Sequence, residues 1–548
     1  MNRTPTVLSV AAALLCLAGT GCTDPTVAPK STISSANIFN DPNSYRAFLA
    51  KLYGGLIVTG QVGPNGNPDI GLIDEGFGEY LRLYWYLQEV PTDEAVIGWN
   101  DDGLRPLNYG TWDASNAMAN GMYNRAFYQI TMANEFLRQS TDAKLSSRGQ
   151  NDSTLRANVR YYRTEARFLR ALSYWHGIDM FGGIPLVTEN NLPGGPLPQQ
   201  ATRSEVYNYL VSELNAIADS LPPKGPDTYG RATPAAAHML LAKLYLNDSV
   251  YTGTPNWAGA VTEAATVIGS GYSLDPNLRH NFEADNNTSP ELIFVAAQDG
   301  GHTQTWGGMT FVIHAGCGGA MSAAAYGIDY CWGGYRLKQQ ALRLFSPGDA
   351  RGAYFFTTDS AIAHGDTTTQ QEVDSGKAAA TGLVHQTDSV IDVGAYSGGT
   401  PAPKFVNKTS GGGSGAQTGM VDTDFPIFRL ADAMLIYAEA TIRGGGGSAT
   451  TALQYLNQIR ERAYANTSAD FGALPPVDTI LAERGRELMF EASRRTDLIR
   501  FKKFVSGYNW AWKSNRPGGA DLPAGRDLYP VPANVLVANP NLKQNPGY

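Results

Sequence analysis

Apolar residues recur every three or four positions over much of the chain, and that spacing predicts long amphipathic helices. Asp41-Pro42 offers an N-cap and a first-turn proline ahead of Tyr45, Phe48, Leu49 and Leu52. From about 114 to 138, Met118, Met122, Ala126, Ile130 and Ala133 share one face. From about 154 to 180, Tyr162, Ala166, Leu169, Leu172 and Trp175 form a second stripe, which Phe181-Gly182-Gly183-Ile184-Pro185 stops. Thr202 and Glu205 have the spacing of a capping box before Val206, Leu210, Leu214 and Ile217. Thr233-Pro234 and Thr254-Pro255 open two further helices, the first carrying Ala237, Leu241 and Leu244, the second Val261, Ala265 and Ile268.

Between 272 and 420 the period fails. Aromatic and Gly-rich text takes over, with short strand-like pieces such as Leu292-Ile293-Phe294-Val295 and a flexible run from Ser410 to Gly415. Helices return at Ile427 to Ile442, Ala449 to Ala463 and about Val477 to Phe504. The predicted fold is therefore all-α, a curved array of helix pairs like tetratricopeptide (TPR) units, interrupted by an irregular, loop-rich subdomain. Its regions are 41–271, 272–420 and 421–548. No strict 34-residue period is visible, so spacing by itself supports only a helical repeat.

Residues 1–21 read as a signal peptide: Arg3, an apolar run of about a dozen residues from Val7 to Ala18, then small residues. The run is shorter than the roughly 20 residues of a spanning helix. Gly19-Thr20-Gly21-Cys22 resembles a bacterial lipoprotein box, making Cys22 the expected lipidation site and 22–40 a polar tether. Gly19 stands where that box usually has Leu, so cleavage by the ordinary signal peptidase stays open. Cys317 and Cys331 then remain in the body, where an oxidising compartment favours their pairing over two buried thiols.

Composition narrows the functional classes. Hydrophobic residues make up 43 % and charged residues 17 %, enough apolar material for a sizeable core. A net charge of −8 with no basic block argues against a nucleic-acid partner. Twenty-eight Tyr and nine Trp among sixty Gly suit a secreted binding protein.

Four stretches carry a family resemblance. Arg163-Thr164-Glu165-Ala166-Arg167-Phe168-Leu169-Arg170-Ala171, leading to Phe181-Gly182-Gly183-Ile184-Pro185-Leu186-Val187, resembles a helix end of the SusD/RagB family. Phe425-Pro426 through Arg429-Leu430-Ala431-Asp432 to Tyr437-Ala438-Glu439-Ala440 is similar to that family's "FPxxRyAD…yAEA" segment. Arg484-Gly485-Arg486-Glu487-Leu488-Met489-Phe490-Glu491, followed by Arg494 and Asp497-Leu498, resembles "ERRxELxFEGxRxxDL", with Gly485 and Ala492 where the family often has Arg and Gly. Leu528-Tyr529-Pro530-Val531-Pro532 and Asn539 to Tyr548 match its closing signature. The resemblance implies a non-enzymatic lipoprotein on the outer face of a bacterial outer membrane. Such a protein binds oligosaccharide, or in some cases peptide, and passes it to a SusC-like TonB-dependent barrel. The charged residues of the motifs, at helical separations, read as structural ion networks and not as a site.

Catalytic patterns are thin. HExxH, P-loop, GxSxG and post-strand GxGxxG motifs are missing, the seven histidines are scattered, and no metal or cofactor is expected. Asp93-Glu94 and Asp101-Asp102 are the pairs a secreted glycoside hydrolase would use, although Asp93-Glu94 fits a structural turn. Sugar binding needs flat rings for the C–H faces of pyranoses and polar groups for their hydroxyls. Two regions offer both: Trp99, Asn100 and Asp101, with Asp102, Arg105 and Trp112 nearby, and Trp306, Tyr326, Tyr330, Trp332 and Tyr335, with His314 between them. Leu83-Tyr84-Trp85-Tyr86-Leu87 reads as packing. A helical scaffold for peptide or protein is the alternative.

Overall fold

A computed structural model describes residues 37–64, 66, 68–71, 75–319, 321–354 and 389–548. The signal peptide, Cys22 and most of the tether lie outside these residues. Contacts divide the chain into two units, 1–44 and 45–548. Of the first, the described part holds a 3-10 turn at Ile38–Asn40, and Asp41 accepts a hydrogen bond from the backbone N–H of Asn43.

The described helices of seven residues or more are α1 (Ser44–Gly54), α2 (Tyr80–Glu89), α3 (Ala117–Gln139), α4 (Ser153–Phe181), α5 (Arg203–Ile217), α6 (Pro234–Leu246), α7 (Trp257–Ile268), α8 (Gly308–Gly316), α9 (Leu430–Ile442), α10 (Ala449–Tyr464), α11 (Val477–Glu487) and α12 (Arg494–Arg500). They pack in succession, α3 on α4, α4 on α5, α5 on α6, α6 on α7, α7 on α9 and α9 on α10, which is the all-α array of helix pairs that the spacing predicts. Side-chain caps explain six of the twelve starts. Asn116 and Asp152 accept from Ala119 and Leu155 at α3 and α4, and the Thr202/Glu205 capping box opens α5. Asn256 caps α7 through Gly259, two residues beyond the expected Thr254-Pro255 start. Helix α4 ends at Gly182, whose φ of 71° favours glycine and whose absent Cβ would press on Leu528.

Among the described residues six strands form three antiparallel pairs: β1 (Ala95–Ile97) with β5 (Tyr335–Leu337), β2 (Ile184–Pro185) with β3 (Gln200–Ala201), and β4 (Leu292–Ala296) with β6 (Phe425–Arg429). Residues 272–420 are thereby joined to the rest of the chain through β4 near their start and β5 near their middle. Two helical expectations are corrected here. Phe425–Arg429 is strand, because Pro426 cannot donate a helical N–H and the run at β4 offers ladder partners; the helix begins at Leu430. The stretch from Val477 to Phe504 is not one helix. It breaks after Glu487, where Phe490 and Ala492 take left-handed φ of 61° and 54°. Buried carboxylates hold this turn: Glu94 accepts from the Phe490 N–H at 2.8 Å and Glu89 from that of Ser493 at 3.1 Å. Ala492 thus occupies a backbone position that glycine would fill without strain.

Most of the charged motif residues are buried between elements, and Arg163, Arg167 and Arg486 are half-buried. Arg167 and Arg170 pair with Glu213, and Arg484 bridges Asp432 and Asp497. Glu487 accepts from Arg351, Arg429 and Arg462 at 3.0, 2.8 and 2.6 Å.

Candidate functional site

Helix α2 is buried along its whole length, its polar residues Arg82, Gln88 and Glu89 included. Glu79 caps it, accepting from the N–H groups of Leu81 and Arg82 at 2.8 and 2.6 Å. The first turn therefore carries Arg82 to the edge of a concavity. There its guanidinium lies 3.9 Å from the Phe77 ring centre and 4.4 Å from that of Phe311, and Nη1 donates to the Trp306 carbonyl at 3.1 Å.

Helix α8 forms the floor beside it. All nine of its residues are buried, which hides it from a periodicity search. The segment after Cys331 runs back along its C-terminal end: the N–H groups of Trp332, Gly333 and Gly334 donate to the carbonyls of His314, Cys317 and Ala315 at 2.8, 2.8 and 2.9 Å. Cys317 and Cys331 are joined as a disulfide with their Cα atoms 4.9 Å apart. The close approach demands glycine at 334, where a Cβ would stand 2.7 Å from Ala315 Cβ and 2.8 Å from the Trp99 ring. Buried His314 lies under Trp332, with ring centres 4.7 Å apart, and its Nδ1 donates to the Tyr330 carbonyl at 2.9 Å. Burial pushes the His314 imidazole below its ordinary pKa, so the ring stays neutral at physiological pH.

These elements enclose a cavity of about 580 Å³ lined by Phe77, Arg82, Trp99, Asn100, Asp101, Trp306, Tyr330 and Trp332. Three tryptophans form its platform. The Trp99 and Trp332 ring centres are 6.4 Å apart with planes at 43°, and those of Trp306 and Trp332 are 6.3 Å apart at 53°. Tyr330, 53 % exposed, stands 6.3 Å from Trp332 at 45°. The rings describe an arc, not a flat strip. Asn100 is exposed at its rim, and Asp101 is the one carboxylate among the described lining residues.

Six of the expected contacts, Trp99, Asn100, Asp101, Trp306, Tyr330 and Trp332, thus share one cavity although more than 200 residues of chain separate their two groups. Tyr326 and Tyr335 do not. Tyr335 is 1 % exposed, with its hydroxyl on the Val312 carbonyl and its ring against Trp85 and Phe490. Tyr326 is buried in the 3-10 turn Ala323–Tyr326. Trp112 is also a core residue, its Nε1 donating to the Tyr548 hydroxyl at 2.6 Å, while Arg105 braces the Gly98 carbonyl. Phe77 and Arg82 were not legible as lining residues; the signal was an arginine within an otherwise apolar aromatic run. The carboxylates of Asp93 and Glu94 are inaccessible. Arg494 grips Asp93 with two bonds of 2.7 Å, and Glu94, pushed up to about 7 by burial, faces the Phe490 turn. Among the described residues, no group of three or more His, Cys, Asp or Glu is placed to hold a metal ion.

The chain resembles known proteins along nearly its whole length. A model described as the SusD family matches residues 290–548, and one described as "starch-binding associating with outer membrane" matches 93–246. The starch-binding protein SusD of Bacteroides thetaiotaomicron is 32 % identical over 535 residues, 91 % of each chain. SusD-like protein P2 of Formosa agariphila is 25 % identical over 479 residues, covering 83 % of this chain and 86 % of that protein. Among solved structures, surface glycan-binding protein A of B. thetaiotaomicron in complex with laminarihexaose superposes with a TM-score of 0.66 at 20 % identity, over 91 % of this chain and 98 % of that one. A laminarin-binding SusD-like protein gives 0.66 at 22 % identity, over 92 % and 99 %. At that identity the structural matches speak to the fold.

Proposed function

The chain belongs to the SusD family, and from that premise we propose that it binds oligosaccharide at the cell surface and delivers it to a SusC-like TonB-dependent transporter of the outer membrane. The observation that carries the reading is the arc of Trp99, Trp332 and Trp306, set at 43° and 53° to one another beside Arg82, Asn100 and Asp101. Each indole offers a face to one sugar ring. The tilt between successive indoles suits a glucan that turns as it runs, and opposes a flat β-1,4 chain, whose rings would need coplanar partners. The relative named for starch binding makes an α-1,4-glucan the first ligand to test.

The lining supports binding rather than cleavage. Two carboxylates roughly 5 to 10 Å apart are needed for glycoside hydrolysis, and the cavity presents Asp101 while Asp93 and Glu94 are consumed by the fold. No helix among the described residues is long and apolar enough to cross a membrane. From the lipoprotein-box resemblance of residues 19–22 we assign attachment to acyl chains on Cys22, two or three being needed for lasting anchorage. A bound solute then requires a separate barrel to move it inward.

Native electrophoresis in gels containing amylopectin, laminarin or hydroxyethylcellulose tests this reading. Retardation by amylopectin is expected. Unretarded migration in all three gels would overturn glycan binding, and retardation by the cellulose derivative alone would overturn the turning-glucan assignment. Gentle detergent extraction from the native host, followed by affinity purification on this chain, should bring a large barrel with it; repeated recovery of the lipoprotein alone would favour a free-standing scaffold.

A further inference from the structure

We propose that Glu79 is a positioning residue that ties the two walls of the cavity together, so that glycan affinity depends on its carboxylate being ionised. The proposal rests on the cavity being the glycan site. Glu79 sits at a junction of two helix starts. Its Oε1 accepts from the Leu81 N–H, while Oε2 accepts from Arg82 at the start of α2 and from Gly308, the first residue of α8, at 2.6 and 2.7 Å. Phe77 lies two residues before the cap, and Trp306 lies two residues before Gly308. The bond from Gly308 therefore joins the wall carrying Phe77 and Arg82 to the wall carrying Trp306. Packing at this seam leaves no slack: a Cβ on Gly307 would lie 2.4 Å from Glu79 Cβ, and Gly308 has a φ of +50°. The Arg82 bond to the Trp306 carbonyl spans the same seam.

Three N–H donors point at this carboxyl group, and both helix N-termini favour negative charge there. The charged neighbours are few. Arg125 of α3 donates to the carbonyls of Gly78 and Thr59, so it sits beside Glu79 without an ion pair to it. Arg82 rises from Glu79's own helix, Glu75 accepts from Thr305 and Trp306 one turn earlier, and α8 contributes only His314, six residues beyond Gly308. Burial is complete and pushes Glu79 up to about 7, against the pull of the three N–H groups and Arg125. When the group is protonated, its O–H faces donors. At least one bond is lost, and where Oε2 takes the proton the Gly308 bond, which together with the Arg82–Trp306 bond holds the walls, is weakened.

The test is calorimetric titration of the full chain with maltoheptaose between pH 6 and 8. If only the ionised form binds, affinity follows its fraction and falls about tenfold from pH 8 to pH 6. Binding at pH 7 should also release about half a proton, read from the heats in two buffers of different ionisation enthalpy. Glu79→Gln, which cannot ionise, should bind at pH 8 more weakly than the wild type does at pH 6, with a flat profile and no proton release. This assigns the proton to Glu79 and not to Glu94, Lys338, Asp424 or Lys513, which burial also shifts toward this pH range. A wild type whose affinity is level across this range, with no proton exchange, overturns the proposal even if Glu79→Gln fails to fold. So does a folded Glu79→Gln that retains the wild-type profile. A chain that binds no glucan at either pH overturns the glycan reading and this inference with it.

Discussion

Replacing Glu487 by Gln separates a structural motif from a ligand site. This carboxylate accepts from Arg351 Nη1 at 3.0 Å, Arg429 Nη1 at 2.8 Å and Arg462 Nη2 at 2.6 Å, all within the protein interior. Glu291, Glu483 and Glu491 share the same guanidiniums. Glutamine keeps the shape but removes the charge facing three buried cations and puts an N–H₂ group among donors. Breaking a buried pair in this way costs about 3–5 kcal/mol, a large part of a typical folding free energy of about 5–15 kcal/mol. Urea unfolding followed by tryptophan emission at pH 7 should register that loss. The pH dependence carries the same signature. The surrounding arginines hold Glu487 well below the carboxylate range and Glu483 at about 2. Their stabilisation is thus present above the unfolded-state pKa near 4.5 and is lost as pH falls toward the folded values. The variant should lose less stability than the wild type between about pH 5 and 2. No member of this network lines the Trp99–Trp306 cavity, so glucan affinity of the folded variant should stay within about twofold. A loss below about 1 kcal/mol with an unchanged acid slope would refute the argument.

The other predictions concern individual residues. Cys317→Ser/Cys331→Ser should lose about 3 kcal/mol, the chain-entropy value for a loop near fifteen residues, and should weaken glucan binding by freeing the Tyr330–Trp332 segment; equal melting temperatures and affinities would reject the clamp. Trp112→Ala should cost about 3–5 kcal/mol as a core truncation and leave affinity unchanged, read by denaturation and titration together. A fatty-acid analogue fed to the native host should label the wild type and not Cys22→Ser; label retained in the variant would place the anchor elsewhere.

The helix pairs were legible because a local pattern encodes them. The Thr202/Glu205 box and the stripe from Tyr162 to Trp175 predict their helices without reference to distant chain. The break at Phe490 and Ala492 is not local, since it depends on Glu89 and Glu94 about 400 residues earlier. Helix α8 escaped notice because an element buried on every side shows little polar face, and α2 because its polar residues, Arg82, Gln88 and Glu89, flank an aromatic run and are themselves buried. In the cavity, a polar or Gly-rich loop was a sound guide to Trp99, Trp306 and Trp332 but could not tell an inward ring from an outward one. Tyr335 follows two glycines just as an exposed ring might, yet its pairing with Ile97 in β1 turns it into the core. Phe77 and Arg82 became lining residues only once Trp306 was placed beside them.

Calorimetric titration of maltoheptaose into the wild type, Trp99→Ala and Trp332→Ala, with melting curves to establish that each is folded, tests the central claim most directly. A buried anchoring ring is worth about 2 kcal/mol or more on truncation, so each variant should bind at least about thirtyfold more weakly than the wild type. Both variants folded and binding as tightly as the wild type would contradict the assignment of the tryptophan arc as the glycan site.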